Sequence, residues 1–357
     1  MSIRHGRIDV HHHNIPPAFL KKMSDKGIKK VAGTPLPSWS PEKSIEIMDL
    51  YGIQTAITSL SSPGVHFGEG VEQAKTLARQ CNEFSAEMVN RFPGRFGSFA
   101  VLPMPFTDAA CKEAIYALDI LKSDGIILLG STDGKFLGDP SYDELMNELD
   151  RRGTIVFVHP NLHPTSETLG LNIPGFFVEF LCDTTRAALN LILKGVTEKY
   201  PGINWILAHS GGFLPYIAWR VSLANTFPEF SEKAPQGVLT YIRRFYYDTA
   251  LSPSRYSLAC LRELVEPSHI LFGSDFPFAP AAAVALECKT LSDSKLLSDE
   301  ELYGINRGHA LSLFPKYREK EETIHPAPIF YQESLGTRFK RLLTKPVRIM
   351  AEKMQNH

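Results

Sequence analysis

The sequence predicts a closed (β/α)8 barrel, and three observations carry that prediction. Short β-rich apolar runs alternate with longer amphipathic stretches, the pattern of a parallel sheet with crossover helices. About eight such units can be counted, the number that closes a barrel and leaves no open edge. No GxGxxG follows the first run, so a doubly wound dinucleotide-binding sheet would lack its phosphate loop.

The units follow in order. RIDVHHH is the first strand, and after a Trp/Pro loop comes SPEKSIEIMDLYG, where Ser40 is an N-cap, Pro41 the first helical residue and Gly52 a stop. TAITSL is paired with a helix from Glu69 to Arg91, RFGSFAVLP with one from Asp108 to Lys122, and GIILLG with SYDELMNELDRRG. TIVFVHP precedes a helical region ending in TTRAALNLILKGVTEKYPG, and INWILAHSGG precedes a helix through Tyr216 to Leu223. FYYDTAL is followed by RYSLACLRELV, and HILFGSDFPF by AAAVALECKTL and DEELYGINRGHALSLF. The barrel is expected over 1–314. Residues 315–357 are expected to form a C-terminal extension, with a basic amphipathic helix interrupted near Pro346, that packs on the barrel or serves as an oligomerisation arm.

Composition narrows the partners. A 357-residue chain with 43% hydrophobic content can bury a large core, and a formal net charge of -1 without long single-sign blocks gives no footprint for nucleic acid or an anionic membrane. The expected partner is a small molecule. The first residues lack the apolar run of a signal peptide, no stretch is apolar for the length of a bilayer, and the five cysteines form no CxxC pair; a cytosolic protein with reduced thiols is expected.

In a barrel the C-terminal ends of the strands converge on one mouth, so chemistry is sought there. Strand one ends in His11-His12-His13, strand five in VHP with His159, strand six in AHSGG with His209, and strand eight in GSDFPF with Asp275. Side chains alternate along a strand, so His11 and His13 share a face while His12 points into the outer layer. Imidazoles with one carboxylate suit a divalent first-row metal, and three His plus one Asp leave a position open for water or substrate. Zinc is the first expectation and manganese the second. Phe278, Phe176 and Trp39 are candidates for an apolar slot that takes a ring, and Arg186 is a candidate contact for a substrate carboxylate.

These residues resemble the amidohydrolase superfamily, within it the branch of decarboxylases related to aminocarboxymuconate-semialdehyde decarboxylase. The resemblance runs from IDVHHH through PEKSIEIMDLYGI, TTRAALNLI and LAHSGG to FGSDFPF. It implies that His11, His13, His159 and Asp275 are the metal ligands and that His209 acts on bound water or substrate. Binuclear members typically carry a carboxylated lysine at strand four; GIILLG has none, which implies a mononuclear centre. Ser44 stands near where the muconate-semialdehyde enzymes have an arginine for a second substrate carboxylate, and a serine cannot make that bidentate pair. A monocarboxylated phenol is therefore the expected substrate. The likeness to decarboxylases of salicylate-type acids points to 6-methylsalicylate, giving 3-methylphenol and carbon dioxide. Asp275, with one oxygen on the metal, is expected to carry the proton on the other, and His209 to set its protonation state or orient water. The resemblance also implies a homodimer or homotetramer. The alternative is a mononuclear metal-dependent hydrolase of a lactone or amide, with His209 as general base.

Overall fold

The computed structural model describes residues 6–318, whose eight parallel strands follow one another around a barrel in chain order. They are β1 (Arg7–Asn14), β2 (Ile53–Leu60), β3 (Phe96–Val101), β4 (Gly125–Leu129), β5 (Ile155–His159), β6 (Asn204–Leu207), β7 (Tyr246–Asp248) and β8 (Ile270–Leu271). The seam between β8 and β1 closes through backbone bonds beyond the end of β8. Val10 N–H donates to Phe272 O at 3.0 Å, Asp275 N–H to His11 O at 2.7 Å, and His13 N–H to Phe276 O at 2.7 Å. The predicted fold class is the observed one.

The helices outside the barrel include α1 (Pro17–Asp25), α2 (Pro41–Tyr51), α3 (Val71–Arg91), α4 (Thr107–Asp119), α5 (Asp143–Arg151), α6 (Glu179–Leu193), α7 (Leu214–Ser222), α8 (Arg255–Leu264) and α9 (Ala281–Ser292). The start and stop signals of α2 act as their chemistry requires: Ser40 Oγ accepts the Lys43 N–H, Pro41 opens the first turn, and Gly52 ends the helix at φ +67°. The stretch after β1 is not all loop, as the sequence suggested. It holds α1, a nine-residue helix with Phe19 and Met23 buried one turn apart. Two core positions are too few for a helical period to stand out.

Strand residues alternate between two packed layers. Ala56, Ile126, Val156 and Leu207 lie under the helices, while Ile57, Ile127, Phe157 and Ile206 fill the interior. Each large apolar side chain so buried contributes about 1.5–3 kcal/mol. In β1 this alternation is reset by a bulge. Asp9 pairs with Ala56 and His12 with Thr58, so Val10 and His11 together occupy the place opposite Ile57. Ile8 and Val10 therefore join the interior set, and His11 and His13 still meet inside the mouth. Asp9 and His12 face the other way and bond to each other.

The end of the described chain lies across the opposite end of the barrel, where Tyr317 donates its hydroxyl to Asp124 at 3.0 Å and Lys316 pairs with Asp124 at 2.8 Å. The expected basic helix near Pro346, and most of the expected C-terminal extension, lie outside the described residues. No helix among the described residues is long and apolar enough to cross a membrane.

Candidate metal centre

Four strand ends bring their side chains to one point. One ligand atom each from His11, His13, His159 and Asp275 lies within 4.8 Å of the others, and all four residues are buried. Asp275 Oδ1 is 3.0 Å from His13 Nε2 and 3.4 Å from His11 Nε2. His209 stands beside this group with Nε2 3.7 Å from Asp275 Oδ2, and that nitrogen is buried without a hydrogen-bond partner among the described residues.

The proton positions follow from the partners. His11 Nδ1–H donates to Asp248 Oδ2 at 2.8 Å, His13 Nδ1–H to Ser59 O at 3.1 Å and His159 Nδ1–H to Pro160 O at 2.7 Å. The acceptors of His11 and His159 are a carboxylate and a carbonyl with no proton to give, so these rings donate there and turn Nε2 toward the centre; His13 Nδ1 lies between Ser59 O and the Ser59 hydroxyl, 3.2 Å away, and its donation to the carbonyl leaves its Nε2 facing the same way. His11 Nε2 and His13 Nε2 then face each other at 3.1 Å, lone pair to lone pair. Only a cation or a proton between them reconciles that contact. The donor set is thus one that fits a divalent metal, with three imidazole nitrogens, one carboxylate oxygen and each ring fixed from behind.

The electrostatics describe the case in which a proton, not a cation, takes that place. Burial opposes charge on His11, but Asp248 and Asp275 outweigh it and push its pKa up to about 10. Burial would raise the Asp275 carboxyl, yet contacts from His11, His13 and His209 hold it well below the usual carboxylate range. His13 and His159 are lowered, first by burial, and His159 further by the neighbouring rings. The cluster thus accepts one positive charge, on His11 between Asp248 and Asp275, and resists a second on His13 or His159.

Backbone strain is concentrated at the same place. His209 and Asp275 adopt φ +54° and +53°, conformations that non-glycine residues hold only where their surroundings over-determine them. The surroundings are close-packed. A Cβ at Gly273 would lie 2.8 Å from His11 Cβ, and one at Gly212 would lie 2.3 Å from Leu181 O, so only glycine lets the turns after β8 and β6 approach so nearly.

Asp248 is a site residue that the sequence reading passed over. Besides holding His11, it accepts the His209 N–H at 2.9 Å and so ties two strand ends together. Its signal was its place as the last residue of the seventh strand. Phe180, also unremarked, sets its ring edge-to-face on His159 at 5.9 Å, and Phe157 floors the site 4.8 Å from His11.

Of the slot candidates, Phe278 is brought to His13 at 5.4 Å between ring centroids. Phe176 packs on Phe177 at 4.2 Å. Trp39 is held behind β1, its indole N–H donating to Ser44 Oγ at 2.8 Å. Arg186 is exposed on α6, and no hydrogen bond or ion pair among the described residues joins it to the cluster.

Comparison with known proteins places these features in context. The chain matches the amidohydrolase family over residues 8–316. It is 34% identical over 317 residues to 6-methylsalicylic acid decarboxylase of Penicillium expansum, covering 88% of this chain and 97% of that one. A solved amidohydrolase structure superposes with a TM-score of 0.81 at 28% identity, covering 87% of this chain and all of the other. A dihydroxybenzoic acid decarboxylase from a Polaromonas species, solved with manganese and 2-nitroresorcinol, shares the fold with a TM-score of 0.76 at 24% identity, covering 88% and 98% of the two chains.

Proposed function

Because the chain belongs to the amidohydrolase family and is a metal-dependent carboxy-lyase, we propose that it decarboxylates an ortho-hydroxylated benzoic acid without oxidation, with 6-methylsalicylate as the first candidate and 3-methylphenol and carbon dioxide as products. The single observation that carries this reading is the convergence of three imidazoles and one carboxylate within 4.8 Å, beside a buried His209 Nε2 that has no hydrogen-bond partner among the described residues. His11, His13, His159 and Asp275 would hold the metal, zinc first and manganese second. Once bound, the metal supplies Lewis acidity to a carboxylate and its neighbouring hydroxyl.

The chain's own residues do the rest. Phe278 and Phe180 border the centre and offer a ring apolar, edge-on contacts. A proton on Asp275 Oδ2 is delivered to the ring carbon that bears the carboxyl group, forming a C–H bond. The C–C bond then breaks, its electron pair returns to the ring and carbon dioxide leaves. His209, 3.7 Å away, passes a proton taken from solvent to Asp275, replacing the one now in the product C–H bond.

The direct test is a panel of ortho-hydroxylated benzoates, lactones and amides, with metal content measured on the same sample. Carbon dioxide released in step with ultraviolet loss of the hydroxybenzoate is expected. Acid release from lactone or amide, without carbon dioxide from any benzoate, would replace the reading with a hydrolase.

For the assembly we propose a homodimer or homotetramer. Tyr216 and Trp219 on α7 are 81% and 76% exposed, and Tyr256 on the adjacent α8 is 69% exposed. Aromatic side chains of about 150–250 Å² each make a large part of the roughly 800 Å² per partner that a stable interface buries. Trp219→Asp is expected to shift the light-scattering mass to that of the monomer without changing metal content. A wild-type monomer at micromolar concentration would end this proposal.

A further inference from the structure

The middle histidine of the triplet belongs to a buried chain that the proposed chemistry does not use. Asp9, His12 and Ser44 are each 0% exposed. Asp9 Oδ1 accepts the backbone N–H of His11 and of Ser274, both at 3.1 Å. Asp9 Oδ2 accepts the Ser274 hydroxyl at 2.5 Å and His12 Nδ1–H at 3.0 Å. His12 Nε2 accepts the Ser44 hydroxyl at 2.9 Å, and Ser44 Oγ accepts the Trp39 indole N–H at 2.8 Å.

The direction of this chain is forced from both ends. An indole nitrogen only donates and a carboxylate only accepts, so His12 has one tautomer and the Ser44 hydroxyl one orientation. Bonds aligned head to tail in a dry interior strengthen one another. The order Ser–His–Asp resembles a hydrolytic triad, but Ser44 is fully buried and one of the two lone pairs on its Oγ is taken by the indole. It is not a nucleophile.

We propose that Asp9, His12 and Ser44 are positioning residues, a relay that locks the turn carrying Asp275 to the segment carrying Trp39. The proposal rests on the reading of Asp275 as ligand and proton carrier. Asp275 has φ +53° and is held from both sides: Ser274 lies on Asp9 through two bonds, and Phe276 N–H donates to Ser274 Oγ at 3.2 Å. The relay is the part of that over-determination which reaches beyond the barrel wall. It also gives the β1 bulge a purpose, because the bulge brings Asp9 and His12 to the same outer side while His11 and His13 stay within.

The test uses the full chain with Ser44→Ala, Ser44→Thr and Asp9→Asn, checked for fold by circular dichroism. Two readouts need no substrate: zinc and manganese affinity by chelator competition, and emission of Trp39 isolated by difference from a Trp39→Phe chain that keeps Trp205 and Trp219. Groups that orient metal ligands typically govern about 10–100-fold in metal affinity, and Asp9→Asn is expected to lose that much. Ser44→Ala is expected to shift Trp39 emission and weaken metal binding severalfold, and Ser44→Thr, which keeps the hydroxyl, to return both toward wild type. A folded Ser44→Ala chain with unchanged Trp39 emission and wild-type metal affinity would overturn the relay, even if Asp9→Asn fails to fold. A wild-type chain that binds metal but releases no carbon dioxide would instead overturn the decarboxylase reading and leave the relay standing.

Discussion

Asp275→Asn is expected to lower kcat by about a thousandfold or more, within the range of about 10²–10⁴ that a positioned proton donor contributes, while the barrel still folds and holds metal. Asparagine keeps the shape of the side chain and one oxygen for the Nε2 cluster, 3.0 Å from His13. What it removes is the second carboxylate oxygen, 3.7 Å from His209 Nε2, where the proton would reside. The measurement is steady-state carbon dioxide release with metal content determined on the same sample. Turnover within tenfold of wild type, with metal bound, would transfer the donor role to His209.

The second large effect concerns the metal itself. Dialysis against a strong chelator is expected to abolish turnover, and added zinc or manganese to restore it. In a His13→Ala chain the same additions are expected to fail, because one of three converging nitrogens is gone. Stability is expected to follow: a ligand at about a thousand times its Kd stabilises the folded state by about 4 kcal/mol. Calorimetry of the apo and reloaded protein should show the apo form melting several degrees lower. Equal melting temperatures and undiminished turnover after verified metal removal would contradict the centre as described.

How much of this was legible beforehand depends on how each residue announces itself. His159, His209 and Asp275 each close an apolar strand run, and strand ends of a barrel share one mouth, so their convergence could be argued from pattern alone. Asp248 obeys the same rule but closes a strand of three residues, too short for its period to draw notice. GFFVEF offered several aromatics in a row, and nothing in their spacing revealed that Phe180, not Phe176, would touch His159. Arg186 sat beside a plausible helix start, yet it points to solvent between the buried Thr185 and Ala187. The bulge was illegible for a simpler reason: three identical residues read the same in either register.

That ambiguity has a genetic corollary. Loss of a single codon from the triplet yields one product, Asp-Val-His-His-Asn, whichever histidine is deleted. Lacking the supernumerary residue, the shortened strand would return to strict up-and-down order, and two consecutive imidazoles cannot then look into the same cavity. A replication slip that seems to spare two of three interchangeable letters would therefore disarm the enzyme as thoroughly as removing the whole run.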